Sequence, residues 1–235
     1  MTALLCAPYD AYMPRFLALF AALVIALITS CSSSAEQQIA LPDGTRLLAD
    51  SATAMRTVKS THFTIDVQGM VPEVPFQSAD GWLTREGSAK GTIKRNQGGQ
   101  LIELGVVILG DKLYLQPPTG PVQKLPLALA QAFYDPSVVL TPERGIAAVL
   151  ASGKEATTEA REQVGGTDSY RVHVTFPAQP LSTVVPGSRQ DRTGQVWIAV
   201  EGSRLVQARF PTSADGTITV SFSEFDEPVE ITAPA

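Results

Sequence analysis

The stretch Thr61-His62-Phe63-Thr64-Ile65-Asp66-Val67-Gln68 decides the fold, because its side chains alternate without a break. Phe63, Ile65 and Val67 fall on one side, and His62, Thr64, Asp66 and Gln68 on the other. Successive strand residues point to opposite faces, so this is a half-buried β-strand. The same period of two returns in residues 76–84, 88–95, 100–109, 111–116, 169–176, 194–200, 204–210 and 216–225. Gly-Asp, Glu-Gly and Asp-Gly pairs separate these runs, as turns between antiparallel neighbours do. A large antiparallel meander is expected.

Helical spacing precedes and interrupts it. From Thr45 to Lys59, Leu48, Ala52, Met55 and Val58 recur at intervals of three and four, which predicts a helix. Two more are expected at Leu125–Phe133 and Thr141–Ser152, the second with Thr141 as N-cap, Pro142 as first helical residue and Gly153 as stop. A shorter one is expected around Gln179–Val185. Strands outnumber helices, and the helices would cover one sheet face, so the class is α+β in one domain.

Face alternation also marks a candidate site. With charged positions turned to water, the inward set of the early strands is Phe63, Ile65 and Val67, then Ala79, Gly81 and Leu83, then Ala89, Gly91 and Ile93. Later strands continue this wall with Ile102, Leu104, Val106 and Ile108, with Val172, Val174, Val196 and Ile198, and with Val206, Ala208, Ile218 and Val220. Small residues on a covered face either let a helix approach closely or leave a hollow. Composition weighs the two equally. Such a wall offers hydrophobic burial and almost no polar chemistry.

No catalytic motif is present: there is no Gly-x-Ser-x-Gly, no His-Glu-x-x-His, no phosphate loop and no paired-cysteine motif. Both histidines, His62 and His173, fall outward by parity, as do Asp80 and Trp82. Trp82 is weighed as ordinary surface packing against a membrane or partner contact, with packing favoured. Glu224, Asp226, Glu227 and Glu230 form an acidic end whose spacing matches no cation loop, and solvated charge is the expectation. A net charge of −5 gives no electrostatic basis for binding nucleic acid. Twelve Arg against six Lys, with Asn96 the only Asn, reads as the bias of a GC-rich genome.

The chain start carries an address. Thirteen apolar residues, Phe16 to Ile28, are followed by Thr29-Ser30-Cys31 and three serines. The run fits a secretory signal and falls short of the ~20 residues that span a membrane. Ile28-Thr29-Ser30-Cys31 resembles the bacterial lipoprotein box, in which the cysteine is lipidated and becomes the first mature residue. Residues 1–12 carry Asp10 and no Lys or Arg, so translation is expected to begin at Met13, directly before Arg15. The expected organisation is a signal over 1–30, lipidated Cys31 and a polar tether over 31–40, and a folded domain over 41–235. About 205 residues (235 minus 30) would remain after cleavage. With Cys31 acylated, no disulfide, thiol catalyst or zinc-thiolate site is left.

The order of these pieces resembles the mycobacterial LppX, LprA, LprF and LprG lipoproteins. The most specific match is Phe133-Tyr134-Asp135-Pro136-Ser137-Val138-Val139-Leu140 followed by Gly145-Ile146-Ala147-Ala148-Val149-Leu150. Leu109-Gly110-Asp111-Lys112-Leu113-Tyr114 and Gln195-Val196-Trp197-Ile198-Ala199 add to it. Val172-His173-Val174-Thr175 replaces the family's usual Ile-x-Gly strand, and Ser223-Glu224-Phe225 departs from its usual Ser-x-Trp-Gly ending. The resemblance implies a curved, half-barrel antiparallel sheet, like that of the LolA carriers, wrapped on helices around an apolar cavity. It implies a membrane-anchored carrier of long-chain lipids, glycolipids or lipoglycans in the cell envelope, working with a membrane lipid exporter and needing no cofactor. The competing readings are an envelope assembly protein with a filled core and, more weakly, an acyl hydrolase.

Overall fold

The computed structural model describes residues 40–69, 71, 74, 76–131, 136–185, 188–212 and 215–234. The expected signal, Met13, Cys31 and tether lie outside the described residues, apart from Ala40. So do Phe133, Tyr134 and Asp135 of the family-like segment. Leu41–Ala235 forms a compact unit by itself and contains every described helix and strand.

Eleven strands make one sheet: β1 (Ser60–Gln68), β2 (Ser78–Thr84), β3 (Ala89–Gln97), β4 (Gln100–Leu109), β5 (Lys112–Gln116), β6 (Gln123–Pro126), β7 (Lys154–Val164), β8 (Thr167–Phe176), β9 (Arg192–Ala199), β10 (Leu205–Pro211) and β11 (Thr217–Ser223). Their order is β6-β5-β4-β3-β2-β1-β11-β10-β9-β8-β7, and each neighbouring pair is antiparallel. Two meanders are thus joined where the first strand pairs with the last. Among the described residues four α-helices, α1 (Gly44–Met55), α2 (Leu127–Gln131), α3 (Ile146–Ala151) and α4 (Ala178–Val184), complete an α+β fold.

The helix starts differ from expectation for identifiable reasons. Asp43 caps α1, its carboxylate accepting from the Arg46 N–H at 2.8 Å. The helix ends at Met55 and not at Lys59, whose N–H instead donates to Asp226 Oδ1 at 2.7 Å. Leu125 and Pro126 belong to β6 and Leu127–Gln131 to α2, while 132–133 of the expected Leu125–Phe133 lie outside the described residues. Thr141 is no cap: its hydroxyl donates to the Ser137 carbonyl, and α3 begins five residues later, behind Gly145. A Cβ on Gly145 would stand 2.2 Å from the Val139 carbonyl oxygen, so only glycine fits this tight turn.

Strand β7 escaped the alternation rule because it holds Glu155, Glu159, Arg161 and Glu162 and few large apolar residues. Bulges shift its register between Lys154 and Thr157 and between Thr158 and Ala160. Glu159 and Glu162, three apart, then serve one outer-face network. Glu159 accepts from Arg171 Nε at 3.0 Å and Gln195 Nε2 at 2.7 Å, and Glu162 from Arg171 Nη1 at 3.0 Å and Trp197 Nε1 at 2.7 Å. Another bulge, between Leu205 and Gln207, corrects the expected inward place of Val206. Leu205 joins the main core, whereas Val206 packs with Trp197 and Ala199 in a second cluster.

The acidic end is partly structural. Asp226 takes the Lys59 N–H on one oxygen and Arg204 Nη2, at 2.6 Å, on the other, tying the last residues to the start of β1. Burial alone would raise its pKa, but these donors outweigh it and hold the carboxyl below its ordinary 3.8. Because the folded value is the depressed one, this stabilisation is complete above the unfolded value and is lost as pH falls through the folded value. Asp226→Asn should therefore melt below the parent near neutrality, with the gap closing in acid. A gap that stays constant to the acid end would refute the assignment.

Candidate functional site

Strand register joins the predicted wall into continuous rows on one sheet face. One row runs Tyr170–Ile198–Leu205 over β8–β10 and Phe222–Phe63–Gly81–Gly91–Val106–Leu115 over β11 and β1–β5, with Leu205 and Phe222 both in the main core. The next runs Val172–Val196–Ala208–Val220–Ile65–Ala79–Ile93–Leu104. Val174 and Val67 continue the same face. Apart from Val206, the expected wall positions therefore share one side, but that side divides into two environments.

Over β8–β10 the face is closed. Helices α1 and α3 lay Leu47, Leu48, Met55, Val149 and Leu150 on Val172, Val174, Val196 and Ile198. These four are 0–1 % exposed. A side chain without accessible surface borders no space that would admit even a water molecule. They are core, and their expected place on a cavity wall is corrected: two helices occupy the volume above them.

Over β1–β4 the face is open. Phe63, Ile65, Val67, Ile93, Leu104 and Val106 are only half-buried although each points to the helix side. Burial changes along the strands. Leu83, Ile108 and Leu113 at one end are under 10 % exposed, Ile108 and Leu113 packing with Leu127 of α2. At the other end, around the β3–β4 turn, Arg95 and Gln97 are exposed. The result is an apolar floor closed at the α2 end and opening toward the β3–β4 hairpin. Two small hollows lie elsewhere, one of about 370 Å³ beside Gly110 and Leu127 and one of about 210 Å³ between α1 and α3.

Gly81 and Gly91 are small for another reason than a hollow. They oppose each other on β2 and β3, and a Cβ on Gly91 would meet the Asp80 carbonyl oxygen at 2.2 Å and the Gly81 Cα at 2.8 Å. A Cβ on Gly81 would meet the Lys90 carbonyl oxygen at 2.4 Å. Two backbones in close approach exclude side chains here. Ala79 is covered, at 8 % exposed, and Ala89 is partly buried against the main core and the α2 cluster.

The polar groups lie mainly on the opposite face. His62 Nε2 sits 3.3 Å from Asp80 Oδ1, its Nδ1 3.4 Å from Ser223 Oγ, and its ring edge-on to Trp82 with centroids 5.4 Å apart. His173 is 3.7 Å from Glu159. Among the described residues no three His, Cys, Asp or Glu side chains gather to hold a metal ion. The site offers an apolar surface and no reacting group on it.

Residues 43–231 match the model of the LppX_LprAFG lipoproteins. The chain is 34% identical over 233 residues to a lipoarabinomannan carrier protein LprG of Mycolicibacterium smegmatis, covering 94% of this chain and 98% of that one. It is 29% identical over 227 residues to the protein of that name in Mycobacterium tuberculosis, covering 94% and 95%. The crystal structure of LprF from Mycobacterium bovis superposes with a TM-score of 0.73 at 22% identity, over 82% of this chain and 97% of that one. LppX from Mycobacterium tuberculosis gives 0.62 at 21%, over 80% and 98%. These two structures share the fold. The family model is one of lipoproteins, and the two LprG relatives are named as lipoarabinomannan carriers. With the model spanning nearly the whole folded domain, the chain belongs to the LppX/LprAFG lipoprotein family.

Proposed function

We propose that the protein is a lipid-anchored carrier that holds the acyl chains of envelope lipids on the open floor of β1–β4. The observation that carries this reading is the coexistence of a close-packed core over β8–β10 with half-exposed Phe63, Ile65, Val67, Ile93, Leu104 and Val106 on the same face. At about 0.8 kcal/mol per methylene, an acyl chain of about 16 carbons costs roughly 12 kcal/mol to bring into water. A floor of this kind removes most of that cost while the lipid is away from a bilayer. Transfer between two apolar surroundings is then nearly thermoneutral and reversible, as a carrier requires. Relatives named lipoarabinomannan carriers favour a glycolipid or lipoglycan as cargo. Long-chain lipids handed over by a membrane exporter are the wider class.

An envelope protein with a filled core accounts for the β8–β10 half but leaves the floor unexplained. Native mass spectrometry of protein purified from an actinobacterial host, followed by lipid extraction, separates the two. Ile93→Trp and Leu104→Trp, which add bulk to half-exposed positions, are expected to shift the melt of delipidated protein by no more than about 2 °C, as near-surface changes do. Both should strongly reduce the extracted lipid. Parent protein that carries no lipid, or variants that load normally, would overturn the reading.

A further inference from the structure

On the outer face, register aligns Trp82, Lys90, Val107, Tyr114 and Lys124 in one row across β2–β6. With strands ~4.8 Å apart, the row spans roughly 19 Å. Lys90 and Lys124 are exposed, and Trp82, Val107 and Tyr114 are partly so. Lys124 Nζ lies 5.7 Å from the Tyr114 ring centroid, and Lys90 Nζ donates to the Glu230 backbone carbonyl at 3.1 Å. Other charges nearby are Lys94 paired with Glu103, Lys112 paired with Asp111, Asp80 beside His62, and Glu230, whose backbone meets Lys90.

The charge distribution singles out this part of the sheet. Residues 89–126 hold five cations against Glu103 and Asp111, or +3; Arg95 stands on the floor side, and Lys90, Lys94, Lys112 and Lys124 on the outer face. The whole chain carries −5, so the remainder carries −8. Four of the six lysines stand on the outer face of β3, β5 and the edge strand β6. Trp and Tyr are the side chains that settle at a membrane interface, and lysines beside them are drawn to anionic headgroups. We infer that the row Trp82–Lys90–Val107–Tyr114–Lys124 docks the protein on an anionic phospholipid surface. This contact is additional to the N-terminal anchor and independent of the acyl floor, which lies on the other side of the same strands. A chain with net negative charge would otherwise be repelled by such a surface, and the row orients which strands meet it.

The test uses Leu41–Ala235, which has no anchor, in co-sedimentation with vesicles of about three parts phosphatidylcholine to one part phosphatidylglycerol at low salt. Binding is expected there, absent on pure phosphatidylcholine, and lost at about 0.5 M salt, where charges are screened within a few ångströms. At roughly five-fold per lysine, Lys90→Gln with Lys124→Gln should weaken binding by about twenty-fold or more. Lys59→Gln with Lys154→Gln, outside the row, should leave it unchanged. Equal binding to pure phosphatidylcholine, equal effects of both lysine pairs, or no vesicle binding would overturn the inference. Uptake of a monomeric fluorescent fatty acid by the same samples reports on the acyl floor separately. Loss of vesicle binding with retained uptake confirms that the row and the floor act independently.

Discussion

Gly91→Ala is expected to destabilise the protein by about 3 kcal/mol, the upper range for forcing atoms into filled space. The added carbon would lie 2.2 Å from the Asp80 carbonyl oxygen and 2.8 Å from the Gly81 Cα, both backbone atoms that no side-chain rotation can move away. Strands β2 and β3 would have to separate, at the expense of their paired hydrogen bonds. For a domain of this size the melt should fall by about 6–12 °C. Gly81→Ala should act similarly, since its Cβ meets the same strand pair from the other side. The double variant should cost less than the sum, because separating the strands for one carbon makes room for the second. Thermal melts of delipidated protein check this. An unchanged melt for Gly91→Ala would mean that the strands do not approach as closely as described.

The meander was legible because its early strands have one wet and one apolar face. Phe63, Ile65 and Val67 announce β1, and their cross-strand partners repeat the pattern on β2, β3 and β11. Strand β7 was not legible, since pairing with β8 and not hydrophobic alternation makes it a strand. The Leu205–Gln207 bulge was equally silent and reversed the face of Val206. Parity placed the candidate wall on one face but could not separate Val172 or Ile198, under helices, from Ile93 or Leu104, in the open. That distinction depends on which strands α1 and α3 cover, a long-range fact absent from local periodicity. Nor could composition tell a glycine facing a hollow from one pressed on another backbone. Both read as a gap in the apolar row.

Cys31→Ala is expected to abolish membrane anchoring altogether, the largest effect of any single change. The proposal rests on Ile28-Thr29-Ser30-Cys31 after thirteen apolar residues and on a family of lipoproteins. One acyl chain gives only marginal, reversible membrane binding, whereas several chains on one cysteine hold the protein firmly. No helix among the described residues is long and apolar enough to cross a membrane. The outer-face row cannot substitute in salt, because lysine–headgroup attraction falls off within a Debye length. Signal cleavage also depends on the cysteine being acylated, so the uncut precursor must be distinguished from anchored product. Mass spectrometry of the N-terminus supplies that distinction. Membranes from cells expressing parent and variant, washed at about 0.5 M salt and partitioned in detergent, should retain mature parent protein and no mature variant. Mature variant protein in the detergent phase would show that a different segment holds the domain at the membrane. It would also remove Cys31 from the carrier reading, while leaving the apolar floor to be judged on its own lipid content.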